Sequence, residues 1–214
     1  MSFRVGGDSD TAGYGVAGFA KLRNSERGIQ SECLREFPPV GRPIVSPVTS
    51  AAEAADFTLR PATPADVPVI LRCIRALAEY ERLAHECVAT EELLRESLFG
   101  DRPAAEVVLA YDGGSVAGYA LWFRSFSTFL ARPGIYLEDL FVFPEYRRRG
   151  LGKRLLTHLA RTAVERGYGR VEWAVLDWNE DALAFYRSLG ALPVDGWTIC
   201  RLTGDALPAL ANQA

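Results

Sequence analysis

The chain has 214 residues and a formal net charge of −3 at pH 7, with 49% hydrophobic and 24% charged residues. This length fits one domain with an extension, and the composition is typical of a globular protein. The mild negative charge gives no reason to expect a nucleic acid partner. No run of about 18 apolar residues is present, so no membrane-spanning segment or membrane partner is predicted.

Cysteine and histidine residues are few and scattered, and no C-x-x-C pair is present. A structural zinc site needs ligands in close pairs, so the spacing predicts no metal site. Reduced thiols are typical of the cytoplasm, which is therefore the predicted compartment. The residues in question are Cys33, Cys73, Cys87, Cys200, His85 and His158.

Residues 1–55 differ in composition from the rest of the chain. They contain seven glycines and four prolines, which interrupt any regular element. This composition predicts a flexible N-terminal extension, with a docking segment as the alternative. Residues 56–214 are then one domain.

Regular patterns begin at Phe57, where "FTLRPAT" predicts a short strand. Thr63 and Pro64 open a helix whose apolar residues keep helical spacing, and a second helix is predicted from Thr90 to about Phe99. Two strands follow, "EVVLAYD" and "SVAGYALWF", joined by a glycine pair typical of a β-hairpin. "GIYLEDLFVFP" predicts a third long strand.

The second half alternates helices and strands. A helix is predicted from Leu151 to Arg166 and is followed by the strand "GRVEWAVLDW", the helix "EDALAFYRSLG" and a final strand "GWTICRL". The order of elements, β-α-α-β-β-β-α-β-α-β, predicts an α/β fold with a mixed sheet and helices on both faces.

The stretch "RRRGLG", Arg147–Gly152, lies between a strand and a helix. Unpaired amides and the helix dipole favour an anion there, glycines allow close approach, and arginines add forked donors. The stretch predicts a phosphate or pyrophosphate site. It matches neither G-x-x-x-x-G-K-[ST] nor G-x-G-x-x-G. A tight turn with a solvated basic face is the structural alternative.

The pattern R-x-x-G-x-G, after a strand and before a helix, resembles the acetyl-CoA signature of the GCN5-related N-acetyltransferase (GNAT) superfamily. The resemblance covers residues 57–203. Four more segments are similar to diamine and thialysine N-acetyltransferases: "RPATPADVPVILRCIRALAEYE", "YLEDLFVFPEYR", "WNEDALAFYRSLGA" and "GWTICRL". The resemblance implies a mostly antiparallel sheet, acetyl-CoA as co-substrate, a primary amine as acceptor and a homodimer.

Two adjacent carboxylates, Glu138 and Asp139, interrupt the apolar third strand. In a regular strand they face opposite sides, unless a β-bulge redirects one. Their burial is costly unless they are paired or lie in a cleft. The resemblance implies that Glu138 is the general base, acting through water, and that Asp139 holds the substrate cation or an internal arginine. A surface charge at the strand end is the alternative for each.

The resemblance implies that Tyr186 protonates the departing thiolate. Without the resemblance, the position of Tyr186 in its helix would indicate an amphipathic core residue. It also implies that Asn179 contacts the pantetheine arm and that strand backbone holds the arm and the thioester carbonyl. The complete set of cofactor-binding residues is Leu140, Phe141, Val142, Arg147, Arg148, Arg149, Gly150, Leu151, Gly152, Lys153, Asn179, Ala182 and Tyr186.

For the amine, the resemblance implies Tyr80 and Glu81 as pocket residues together with Glu138 and Asp139; an exposed helix charge is the alternative for Glu81. The loop "RSFSTFLARPG" contains no acidic residue. Polyamines need an acidic channel, so a small primary amine such as a lysine analogue fits better than spermine. Acetylation of protein lysines or N-termini, and a non-catalytic acyl-CoA sensor, are the alternative functions.

Overall fold

The computed structural model describes residues 57–213. The predicted extension, residues 1–55, lies outside the described residues. Within residues 57–213, no helix combines the length and apolar character needed to cross a bilayer. The same part of the chain contains no group of three His, Cys, Asp or Glu side chains able to hold a metal ion.

Five strands form one sheet in the order β1-β2-β3-β4-β5. The first four pair in antiparallel fashion, and β5 is parallel to β4. The predicted mixed, mostly antiparallel sheet is therefore confirmed. The strands are β1 Phe57–Pro61, β2 Glu106–Asp112, β3 Ser115–Ser127, β4 Arg132–Val142 and β5 Val171–Trp173.

Within residues 57–213, five helices connect or follow these strands. A 3₁₀ turn at Pro64–Asp66 precedes the first helix. The start of this turn is fixed by the Asp66 carboxylate, which accepts hydrogen bonds from the amide and the hydroxyl of Thr63. Thr90 caps the second helix through its side chain. The helices are α1 Val67–Tyr80, α2 Glu91–Phe99, α3 Leu151–Glu165, α4 Glu180–Ser188 and α5 Ala206–Ala211.

Helices cover both faces of the sheet, as predicted. On one face, the buried leucines of α3 pack against side chains such as Trp122 and Ile135. On the other face, α1 and α2 contribute Ile70 and Leu98 to a cluster that contains Tyr119 and Phe141. These two surfaces are called the α3 face and the α1 face below. Their apolar burial is the main force that holds the sheet between its helices.

The predicted final strand "GWTICRL" is wrong. The structure has no strand at residues 196–202, and the side chains of Trp197 and Ile199 are 77% and 75% exposed. The strand "GRVEWAVLDW" is also shorter than predicted, because only Val171–Trp173 pair with β4. A strand persists only where a neighbouring edge completes its hydrogen bonds, and alternating apolar residues do not supply that edge.

Candidate active site

A β-bulge at Glu138 decides where the two adjacent carboxylates point. Leu121 of β3 lies opposite Asp139, whereas Trp122 lies opposite Leu137, so Glu138 is an extra residue without a partner. Before the bulge Leu137 packs on the α3 face, and after it Leu140 packs on that same face. Glu138 and Asp139 therefore share the α1 face, which regular alternation would not allow.

The sheet opens at this same point. Pairing between β4 and β5 stops at Leu137 and Trp173, although β4 continues to Val142. Among the described residues, no strand therefore pairs with the β5-side edge of β4 beyond Leu137. The predicted cofactor residues Leu140, Phe141 and Val142 lie along this stretch, where one carbonyl, that of Val142, accepts a hydrogen bond of 2.9 Å from Nε of Arg147.

Asp139 lies partly buried beneath the opening. The hydroxyl of Tyr119 donates to its Oδ2 over 2.5 Å. Burial raises the pKa of Asp139, the hydrogen bond from Tyr119 opposes that rise, and the charge of Glu138 adds to it. Burial also raises the pKa of Glu81, at the end of α1, and the charge of Asp139 contributes to that shift. Glu138 is exposed.

Glu81, Glu138 and Asp139 take part in none of the ion pairs found within residues 57–213. Of the two partners predicted for Asp139, the internal arginine is not found there, and Tyr119 takes its place. Carboxylates that lose hydration without gaining a positive partner make a site that attracts cations.

Tyr186 of α4 lies half-buried across the opening from α1. Its ring packs against Trp173, with 4.9 Å between ring centroids, and against Phe185. Burial raises the pKa of Tyr186, and the nearby charges of Glu81 and Tyr80 raise it further. The phenol is therefore protonated at neutral pH and able to donate. Tyr186 is thus both a packing residue and a neighbour of the acidic site.

The end of α1 meets the start of α4. The hydroxyl of Tyr80 donates to Oδ1 of Asn179 over 3.3 Å, and the same oxygen accepts from the amide of Ala182, which caps α4. The guanidinium of Arg147 lies 4.7 Å from the centroid of the Tyr80 ring. These contacts bring the predicted substrate residue Tyr80 to the predicted cofactor residues Asn179, Ala182 and Arg147.

The two glycines at the start of α3 differ in their surroundings. Gly150 has φ +81°, and a Cβ built there would meet no atom within 4 Å. Gly152 lies inside α3, where a Cβ would touch the Phe185 ring at 3.5 Å. Gly150 therefore provides a left-handed backbone beside open space, whereas a Cβ at Gly152 would make an ordinary van der Waals contact with α4. Leu151 is buried in the core behind this turn.

The three arginines of the turn have different surroundings. Arg147 bonds to the Val142 carbonyl, and Arg149 bonds to Asp112 over 2.8 Å and stacks on Phe57. Arg148, at φ +60°, and Lys153 are exposed at the start of α3. Two members of the predicted basic cluster thus hold the turn against the sheet.

The sequence analysis did not predict Tyr119 as a site residue. A tyrosine within an apolar strand could have indicated it, because a buried hydroxyl needs a hydrogen-bond partner.

The comparisons with known proteins agree with this architecture. The family model described as "Acetyltransferase (GNAT) family" matches residues 74–191. An L-ornithine N5-acetyltransferase, NATA1, of Arabidopsis thaliana is 38% identical over 81% of this chain and 97% of that protein. A thialysine N-epsilon-acetyltransferase of Bos taurus is 40% identical over 72% of this chain and 97% of that protein.

Solved structures share the fold. The integron cassette protein VCH_CASS6 of V. cholerae superposes with a TM-score of 0.63 at 24% identity, covering 73% of this chain and 98% of that one. An aminoglycoside acetyltransferase, meta-AAC0020, from an uncultured soil metagenomic sample gives 0.60 at 21% identity, covering 70% and 97%. From the family match and the sequence relatives, the chain belongs to the GNAT family and is an N-acetyltransferase.

Proposed function

We propose that this enzyme transfers the acetyl group of acetyl-CoA to a primary amine of a small molecule. The observation that carries the proposal is the acidic site formed by Glu81, Glu138 and Asp139, which takes part in no ion pair within residues 57–213. An ammonium group bound there would offset the cost of burying Glu81 and Asp139. A protonated amine is also the form in which a primary amine reaches an enzyme at neutral pH.

We infer the acceptor class from the relatives and from residues 124–134, which comprise the end of β3, the turn after it and the start of β4. The names of the two relatives specify ornithine and thialysine, which are amino acids with a side-chain amine. Residues 124–134 here include Arg124 and Arg132 and no acidic residue. We propose an amino acid of this kind, because a polyamine with several charges requires a longer acidic channel. Acetylation of protein lysines is the second candidate.

Acetyl-CoA fits the groups around the opening. The first amides of α3 have no acceptor within the helix, and the helix dipole favours an anion there. Gly150 leaves open space beside them, and Arg148 and Lys153 are exposed close by. We propose that the pyrophosphate binds at this turn. The pantetheine arm would run along Leu140–Val142, with Asn179 and Ala182 on the opposite side.

In the proposed reaction, Asp139 holds the ammonium and Glu138 accepts its proton through a water molecule. The neutral nitrogen then attacks the thioester carbonyl, so that a C–N bond forms and the C–S bond breaks. Tyr186 gives its proton to the departing sulfur, and the second proton that the nitrogen loses as the amide forms returns to the Tyr186 phenolate through solvent. Burial raises the pKa of Tyr186, so the phenol holds its proton at neutral pH and gives it up only as negative charge develops on the sulfur.

We also propose that the enzyme is a cytoplasmic homodimer and that residues 56–214 form its catalytic domain. A cavity of about 940 Å³ lies between β5, α4 and the C-terminal segment, whose residues Val194, Trp197 and Ile199 line it. These three side chains are 68–77% exposed. A second copy of this chain would cover them, and a surface of this kind favours association. Light scattering of the full chain and of Trp197→Glu tests this proposal; a monomeric wild type contradicts it.

Thiol release from acetyl-CoA tests the proposed activity with a panel of amines. The panel contains L-ornithine, thialysine, spermidine and a lysine-containing peptide. We expect the two amino acids to be the best acceptors. A preference for the peptide would favour the second candidate. Acetyl-CoA binding without thiol release for any amine would contradict the proposal and favour a non-catalytic sensor.

A further inference from the structure

We infer that Tyr119 is a positioning residue of the amine site, which acts by holding the Asp139 carboxylate towards the substrate ammonium. The inference rests on the proposed function and identifies a determinant of its amine affinity. Tyr119 lies on β3, its side chain is fully buried, and its hydroxyl donates to Oδ2 of Asp139 over 2.5 Å. The tyrosine itself needs no contact with the substrate.

The surroundings of Tyr119 are apolar apart from this one bond. Its cluster on the α1 face includes Ile70, Cys73, Leu109 and Phe141. Phenylalanine would fill the same space, whereas a buried hydroxyl costs free energy unless it is hydrogen-bonded. Asp139 provides that acceptor. The hydroxyl is therefore explained by its bond to Asp139 and not by packing.

The regular register after the bulge makes this contact possible. Tyr119 lies directly opposite Phe141, and Asp139 lies opposite Leu121, two positions along β4 from Phe141. Tyr119 and Asp139 are thus diagonal neighbours on the α1 face. Because Tyr119 binds Oδ2, the carboxylate is oriented and Oδ1 is left to accept a hydrogen bond from an ammonium group.

Electrostatics give the bond a second consequence. The titratable groups in range of this pair are Glu138 on β4, Cys73 on α1 and Glu81 at the C-terminal end of α1. Burial and the charge of Glu138 favour the neutral carboxyl, and the bond from Tyr119 favours the carboxylate. Burial also raises the pKa of Tyr119 itself, so it remains a donor. Tyr119 therefore helps to keep Asp139 both ionised and oriented.

Tyr119→Phe tests the inference, because it removes the hydroxyl and keeps the ring. We expect KM for L-ornithine to rise about tenfold, the scale of one hydrogen bond to a charged group, with KM for acetyl-CoA unchanged. The acid limb of kcat/KM for the amine should move to higher pH. Tyr111→Phe is the matched control, since Tyr111 lies on β2 and its hydroxyl accepts a hydrogen bond from Arg60 on β1, away from Asp139. It should leave all three quantities unchanged.

A double-mutant cycle separates positioning from packing. In an Asp139→Asn background, Tyr119→Phe should change KM for ornithine little further, because its effect passes through the carboxylate. An equal effect in both backgrounds, or an unchanged KM and pH profile in Tyr119→Phe alone, would overturn the inference. If the wild type acetylates no amine, the proposed function fails. Calorimetry of ornithine binding to the same variants then decides the role of Tyr119. Equal affinities of the wild type and Tyr119→Phe, or no binding at all, would refute the inference.

Discussion

Glu138 and Asp139 are adjacent in the chain, yet both lie on the α1 face of the sheet, because a β-bulge makes Glu138 an extra residue opposite β3. Glu138 is exposed, whereas Asp139 is partly buried and bonded to Tyr119. The same backbone irregularity occurs where β5 stops pairing with β4. One local feature thus brings two carboxylates with different environments to the opening of the sheet, which suits two different roles.

Glu138→Gln and Asp139→Asn form a matched pair that separates those roles. Glu138→Gln keeps the shape and removes the proton acceptor, so kcat at neutral pH should fall by a factor on the order of 10²–10⁴. Much of this loss should be recovered at high pH, where the free amine is abundant. Asp139→Asn should mainly raise KM for the amine. Steady-state kinetics from pH 6 to pH 10 distinguish the two, and the reverse pattern would exchange the roles.

Tyr186→Phe tests the proton donor to sulfur. The hydroxyl matters as charge develops on the leaving thiolate, so kcat should fall while KM for acetyl-CoA changes little. Tyr168→Phe is a suitable control, because Tyr168 packs against the cluster on the α3 face. It should retain the wild-type kcat. Full activity in Tyr186→Phe would contradict the assignment.

Gly150→Ala tests the pyrophosphate site, and Gly167→Ala is its control at the other end of α3. Both glycines have positive φ, +81° and +67°, and a Cβ would meet no atom within 4 Å at either position. Each substitution should therefore cost a similar ~1 kcal/mol of stability from backbone strain. Gly150→Ala alone should weaken acetyl-CoA binding in calorimetry. Equal affinities of the two variants for acetyl-CoA would contradict the assignment of the pyrophosphate site to this turn.

The pH dependence of stability should reveal the burial of Asp139. Because its pKa is raised in the folded state, the unfolded chain loses the proton first as pH rises. This group therefore lowers the free energy of unfolding as pH increases above about 4. Asp139→Asn should gain stability relative to the wild type over that range, as measured by urea unfolding. An identical pH profile would contradict the burial of this carboxyl.

Asp66→Asn is a control of opposite sign for that experiment. Hydrogen bonds from Arg60, together with those from Thr63, hold the pKa of Asp66 well below its usual range. Its contribution is therefore present above the unfolded pKa and is lost as pH falls towards the folded pKa. Asp66→Asn should be less stable than the wild type at neutral pH, and the difference should shrink in acid.

Deletion of residues 1–55 should leave a folded, active enzyme. The family model begins at residue 74, and the bovine relative is matched over 97% of its length by an alignment of 166 residues. We therefore propose that residues 56–214 contain what the chain needs to fold. Circular dichroism and thiol release of the truncated chain test this expectation. Precipitation or lost activity would show that the extension is part of the catalytic domain.

The sequence alone determined the elements whose cause is local. Apolar spacing produced α1 and α3, Thr90 capped α2, and the glycine pair after Asp112 closed the hairpin between β2 and β3. The motif at Arg147–Gly152 likewise indicated the turn before α3, because the left-handed Gly150 directly precedes the first residue of that helix.

Only the tertiary structure decided how strands pair, because pairing depends on residues distant in the chain. It located the bulge that turns Glu138 and Asp139 to one face, joined Asp139 to Tyr119, and gave Arg149 a partner in Asp112. It also left "GWTICRL" without a strand, since residues 171–173 are all of β5 that pairs with β4. Periodicity shows which side chains can share a face, whereas the hydrogen-bond register determines which of them meet.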